Sequence, residues 1–297
     1  MTTIRINRAL ALAGVASRRG AEELVAAGRV SLNGAVVTSL GVQVDPQRDE
    51  LLLDGRRLKL QPQVYFLFHK PRGMLSTMQD EQGRECVGAV ARELPGSPKP
   101  VGRLDRASEG LMLLTNDGDV ALRLAHPRYG VQKEYQVTLA PRLTDADARR
   151  MVDGVALEDG LARFVGIELL AQETDRSRLQ VVVQEGRNRL IRRVCEALGY
   201  RVLRLKRVRL GLLVLGRLQP GATRQMGAAE ADNLRRSLGL GPSGGGRAQR
   251  QARDEGPGKR SEGRAGDTAE SARAKSRAPR PPAKPAAPRG GPRGRRP

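Results

Sequence analysis

From about Leu240 to its end, the chain loses its apolar patterning and becomes a run of Gly, Pro, Ala, Ser and Arg. Such a segment cannot bury enough apolar surface to offset its chain entropy, so residues 239–297 are expected to form a disordered basic tail. Folding is then confined to the part before it, which leaves room for two domains in a chain of 297 residues. The same boundary divides the charge. The whole chain carries +21, and from Gly241 onward fifteen Lys or Arg stand against five Asp or Glu. The remainder is therefore basic on its own, by +11. That excess points to a polyanionic partner, because Lys and Arg that neutralise phosphates release condensed counterions. The tail serves either as a non-specific RNA-holding arm or as a solubilising appendage.

Several function classes drop out early. Cys86 and Cys195 are far apart with no C-x-x-C, which suggests neither a disulfide framework nor a zinc site, and both read as small core residues. His69 and His126 are the only histidines, too few for a His-based triad or metal cluster. The opening MTTIRINRAL has no apolar signal core, and no apolar stretch is long enough for a bilayer. The expectation is a soluble, cytoplasmic monomer with no membrane partner.

Residues 1–60 read as a separate module. IRINRALALAG places Ile6, Leu10 and Ala13 on one helical face, and SRRGAEELVAAG follows with Ser17 as N-cap and Gly28 at the C-terminal cap. In RVSLNGAVVT, Asn33-Gly34 between β-rich segments signals a hairpin. Arg5, Arg8, Arg18, Arg19 and Arg29 cluster near the helix starts with few acids between them, which favours an RNA-binding face over a solvated one. Residues 61–63 read as a linker. From residue 64 to 238 strands and helices alternate without Gly-x-Gly-x-x-Gly or Walker spacing, so a nucleotide-cofactor fold is unsupported and a mixed α+β domain is expected. VYFLFHKPRG reads as a buried strand whose Pro-Gly turn exposes Lys70 and Arg72. KEYQVTL alternates, with Tyr135, Val137 and Leu139 facing one way. In RNRLIRRVCEALG, Leu190, Ile191, Val194, Cys195 and Leu198 form one apolar stripe, flanked almost symmetrically by Arg192 and Arg193.

The stretch VGRLDRASEGLMLLTND sets one acid, Asp105, between Arg103 and Arg106. A surface ion pair is one reading; a carboxylate kept for chemistry is the other. An ionised carboxylate in a pocket partly closed to water needs a cation near it, ideally through a two-pronged guanidinium contact.

KPRG (70–73), GRLDRASEGLMLLTNDGD (102–119), HPRYGVQKEYQV (126–137) and EGRNRLIRRVCEALGYRVLRLKRVRLG (185–211) carry a likeness together. They resemble the bacterial pseudouridine synthases that act on ribosomal RNA of the small subunit (type A) or the large subunit (types B, E and F). INRALALAGVASRRGAEELVAAGRVSLNG resembles the S4 RNA-binding domain that such enzymes carry. The likeness runs over residues 4 to 227 in family order. It implies an S4-type domain of helices plus hairpin, then an α+β synthase domain with a mixed, mainly antiparallel sheet flanked by helices. It implies conversion of a uridine to pseudouridine in ribosomal RNA, the large subunit favoured, on a flipped-out nucleotide and without cofactor or metal. Asp105 matches the family's catalytic aspartate, acting as nucleophile or as base. Tyr135 matches the tyrosine that stacks on the flipped uracil, and Arg192 the basic residue of the last motif. The resemblance assigns Arg103 and Arg106 to RNA backbone and nucleotide extrusion, and Lys70, Lys133, Arg187, Asn188 and Arg193 to RNA contacts. Leu190 departs from the glutamine common among relatives. Two alternatives stand beside the enzyme. One is an RNA-binding ribosome-assembly factor with a relic domain, disfavoured because Asp105, Tyr135 and Arg192 all persist in order. The other is a glycoside hydrolase, for which Glu109 is the only nearby second carboxyl.

Overall fold

The computed structural model describes residues 3–46 and 48–242, so the expected tail lies, from residue 243 on, outside the described residues. The first module comprises β1 (Ile4–Arg5), α1 (Ile6–Leu12), α2 (Arg18–Ala26), β2 (Val30–Leu32), β3 (Ala35–Val36), β4 (Gln43–Val44), β5 (Leu51–Leu53) and β6 (Arg56–Arg57). Ser17 accepts the Gly20 amide at 3.0 Å and so starts α2. Asn33 and Gly34 both take positive φ, 50° and 84°, the geometry that closes a two-residue hairpin between β2 and β3. Ile6, Ala9, Leu10, Ala21 and Val25 from the helices meet Val30, Val37, Val44 and Leu51 in a small core.

After the 61–63 segment come β7 (Tyr65–Lys70), α3 (Val87–Glu93), β8 (Lys99–Pro100), β9 (Glu109–Thr115), α4 (Gly118–Ala125), β10 (Lys133–Ala140), α5 (Asp145–Asp153), the β11–β12 hairpin (Val155–Leu157 and Gly160–Ala162), β13 (Gly166–Gln172), β14 (Ser177–Val183), α6 (Leu190–Ala197), β15 (Arg201–Leu210), β16 (Leu213–Val214), β17 (Thr223–Gln225) and α7 (Ala228–Ser237). The main sheet runs β13-β14-β10-β15-β9-β7-β17. Its pairings are antiparallel except β15 with β9, so the expected mixed, mainly antiparallel sheet is what forms. One apolar layer joins Val137, Leu139, Val181 and Val183 to the α6 stripe; another joins Leu111 and Leu113 to α4 and α7. Ordered packing continues past α7, where Leu238 and Leu240 still cover the second layer.

The parallel pair carries a tight backbone crossing. Gly110 sits opposite Arg207 with φ 114°, and a Cβ there would lie 2.3 Å from the Arg207 carbonyl oxygen. Gly110→Ala must therefore push β9 off β15. We expect a stability loss on the order of 3 kcal/mol in urea unfolding, at the upper end for overpacking. A loss below about 1 kcal/mol would contradict so close a crossing.

The two modules touch through an ion pair, Arg8 to Asp119 at 2.6 Å. At the same N-terminal end of α4, Tyr65 donates to the buried Asp117 at 2.6 Å and Arg235 of α7 pairs with the same oxygen. Asp117 also caps α4 through the Asp119 amide at 3.1 Å. One carboxylate thus joins strand, helix start and C-terminal helix.

Candidate active site

Asp105 lies on a turn between Val101 and β9 whose backbone is anchored at every step. The Leu104 carbonyl accepts from Ser76 Oγ at 2.6 Å, and the Leu104 amide donates back to that hydroxyl at 3.1 Å. The Asp105 carbonyl accepts from the Ser108 amide at 3.0 Å and from Lys70 Nζ at 3.3 Å. Lys70 also holds the carbonyls of Pro71 and Ser108, at 3.0 and 2.9 Å. The Gly73 amide reaches the Arg106 carbonyl at 2.7 Å, and Arg192 Nη2 reaches that of Ala107 at 3.2 Å. Carbonyls 104 to 108 are all engaged, and the Leu104 side chain is buried among Phe66, Phe68 and Met112. The side chain of Asp105 is left half-buried, with no hydrogen bond or ion pair to its carboxylate among the described residues.

That carboxylate faces a cavity of about 770 Å³. Arg103, Arg106, Lys133, Tyr135, Arg187 and Asn188 also line it. Tyr135 is half-buried on β10 and packs against the α6 layer on one side and the cluster around Leu104 on the other, which suits a ring at the rim of the core. Leu190 is buried and contributes an apolar patch to the wall.

Several expected RNA contacts occupy different positions. Lys70 is fully buried rather than exposed by its turn, because the three carbonyls behind Asp105 consume its donors. Burial depresses its ammonium to about pH 8, against the pull of the Asp105 and Glu109 charges. Arg192 is buried behind the turn and does not line the cavity. The two-pronged contact with Asp105 is absent; its Nη atoms take the Ala107 and Val202 carbonyls at 3.2 Å each, and its Nε is unpartnered. Asp105 still acts on it through charge, opposing the lowering that burial imposes on the guanidinium. Lys133 is buried too, donating to the Val131 carbonyl at 3.0 Å. Arg187 is clasped by Glu185 at 2.6 Å and Asp159 at 3.2 Å, and Arg193 by Asp159 at 2.5 Å, so both brace the β11–β12 hairpin. In the first module Arg29 is paired with Asp54 at 2.5 Å, whereas Arg5 and Arg19 are exposed and form no ion pair among the described residues. Arg103, Arg106 and Asn188 are exposed at the cavity. Glu109 is held by Arg204 at 2.6 Å and is no free partner for Asp105, which removes the structural basis for a two-carboxyl hydrolase.

Sequence reasoning missed Ser76, whose hydroxyl closes the Leu104 pair from a loop with no periodic signal. It also missed Arg207, buried on β15. A signal existed there: period-two alternation puts Arg207 on the same side as buried Leu205, an inward position for a charged residue.

The family described as "RNA pseudouridylate synthase" matches residues 64–197, and the S4 domain family matches residues 4–49. An "Uncharacterized RNA pseudouridine synthase" of Aquifex aeolicus is 40% identical over 241 residues, covering 81% of this chain and 97% of that one. The chain belongs to the RNA pseudouridine synthase family. Within it, "Ribosomal large subunit pseudouridine synthase B" of Bacillus subtilis is 40% identical over 233 residues, 78% of this chain and 95% of that one. A solved structure, "Crystal structure of pseudouridylate synthase", superposes with a TM-score of 0.54 at 26% identity, over 78% of this chain and 99% of that one. The synthase is thus an isomerase of RNA uridine joined to an S4 domain, and most of the residues lining the cavity beside Asp105 fall within the matched 64–197 region. No helix among the described residues is long and apolar enough to cross a membrane.

Proposed function

We propose that this synthase converts a uridine of large-subunit ribosomal RNA to pseudouridine in the cytoplasm, as a monomer, with Asp105 as the carboxylate that acts at the sugar. The observation that carries the reading is the turn itself. Five successive carbonyls are bonded so that one side chain stays unbonded at the wall of a cavity large enough for a nucleotide. Preorganisation of this kind favours reaction over binding alone. Tyr135 offers its ring to an extruded uracil, and extrusion costs a few kcal/mol of stacking that contacts from exposed Arg103 and Arg106 to phosphate offset. Arg192 positions the Asp105 turn from behind and lends it positive charge. The relatives whose names specify the large subunit support that choice of RNA.

Purified chain incubated with unmodified large- and small-subunit ribosomal RNA tests this, with pseudouridines mapped afterwards. Formation at a defined large-subunit position is expected. Tight binding without any pseudouridine would instead favour the assembly-factor reading.

The S4 module is read as a backbone clamp. Arg5→Ala combined with Arg19→Ala in the full chain should weaken RNA binding and reduce the slope of log affinity against log salt by about 1.5, near the 0.7–0.9 expected per phosphate contact. An unchanged slope would assign this face to something other than RNA.

A further inference from the structure

The cavity contains charge that the proposed chemistry at the sugar leaves unused. Arg207 of β15 is cross-strand partner to Tyr135 and opposite Gly110, and it shares the sheet face of Tyr135. Lys133 lies two residues from Tyr135 on the same face of β10. Both side chains are buried and both line the cavity, yet neither forms an ion pair among the described residues. The contrast is with Arg187, Arg193, Arg204 and Arg209, each neutralised by a nearby acid. Arg207 spends Nε on the Leu111 carbonyl at 2.7 Å and keeps Nη2 unpartnered. Burial lowers the Lys133 ammonium, and the charge of Arg207 beside it lowers it further. Ser108, two residues before Gly110, is buried at the cavity with its Oγ also unpartnered. Burying such donors without partners is costly unless something else takes them up.

We propose that Arg207, with Lys133 and Ser108, takes up the negative charge that moves onto uracil when its glycosidic bond breaks. The assignment rests on the activity proposed above. When the C1′–N1 bond opens, its electron pair leaves with the base, and the charge spreads over O2 and O4. The vacancy at C1′ is met by an Asp105 oxygen, or by loss of the C2′ proton to that carboxylate. After the base turns, C5 bonds to C1′ as the Asp105–C1′ bond breaks, or as the carboxylate returns its proton to C2′. C5 then loses its proton and N1 gains one, so Asp105 is regenerated and the reaction is an isomerisation throughout. Donors already fixed where this charge develops need no reorganisation at the moment of cleavage. Two cations without a counter-ion suit a ligand that is neutral on arrival and anionic in transit.

The test is Arg207→Gln assayed on two RNAs, one with uridine at the target and one with 5-fluorouridine. Fluorine withdraws electron density and stabilises the leaving base without help from the protein. We expect conversion of uridine to fall about 100-fold at saturating RNA, as for loss of one fixed donor to a developing charge. Consumption of 5-fluorouridine should fall less than about 10-fold, RNA affinity should stay within about threefold, and Arg207→Lys should recover most of the uridine rate. An equal loss on both RNAs would overturn the assignment and leave Arg207 a structural residue. Should Arg207→Gln not fold, Lys133→Gln makes the same comparison, with the larger loss on uridine expected and an equal loss overturning. Failure of the proposed activity is a separate result: the unaltered chain would then neither form pseudouridine on the uridine RNA nor consume 5-fluorouridine on the other.

Discussion

Asp105→Asn should bind substrate RNA as tightly as the unaltered chain, or slightly tighter, and turn over at least roughly 10⁴-fold more slowly, as when a nucleophile or its base is removed. The split follows from the geometry. The main-chain bonds that hold the turn involve residue 105 only through its carbonyl, so the amide keeps the fold. Lys70, Lys133, Arg192 and Arg207 are buried cations with no ion-paired carboxylate among the described residues, so removing one negative charge leaves the cavity more attractive to phosphate. Single-turnover conversion and a filter-binding curve on the same RNA measure both terms. Persisting turnover would remove Asp105 from the chemistry.

The second large effect concerns Lys70, which touches no part of the cavity. Lys70→Met should lower turnover by about 100-fold while changing affinity little, because carbonyls 71, 105 and 108 lose their shared donor and the Asp105 turn loosens. Stability should change far less than activity, since the mutation also removes the penalty of burying an ammonium. The pH dependence carries the diagnostic sign. The folded-state value of about 8 lies below the ordinary 10.5, so between these values the unfolded chain binds more protons and this residue's contribution to stability rises with pH. Activity should do the reverse. A neutral amine has two N–H groups for three carbonyls, so turnover should fall as pH rises through about 8. In Lys70→Met that alkaline limb should disappear. A limb that persists unchanged in the variant would assign it to another group.

The elements were legible wherever local chemistry decides them. Ser17 caps its helix at the expected position, Asn33-Gly34 turns the hairpin, Tyr135, Val137 and Leu139 share a face as alternation requires, and Thr144 starts α5 by accepting the Asp147 amide. At Thr144 the structure adds a partner from far away in sequence: Tyr200 donates to Asp147 at 2.8 Å and accepts the Thr144 amide at 3.3 Å. Placement of charge was less legible. Lys70 and Arg192 look alike in sequence to exposed bases, and only the convergence of β7, α6 and the 104–108 turn makes them main-chain braces. Arg187 and Arg193 were expected at phosphate, yet Asp159, on a hairpin that periodicity did not predict, takes both. Ion pairs between distant segments leave no period to read. The motif around Asp105 showed where chemistry resides; the five donors that fix it come from three segments, residues 70–76, the turn itself and α6.

A structure of the Asp105→Asn chain with its substrate RNA is the most direct trial of the central claim. The held carboxylate position should lie within about 3.5 Å of the C1′ atom of a single uridine swung out of its stack, the separation of groups poised to react. A target uridine that stays stacked in the RNA, or one that enters the cavity with residue 105 far from its sugar, would contradict it.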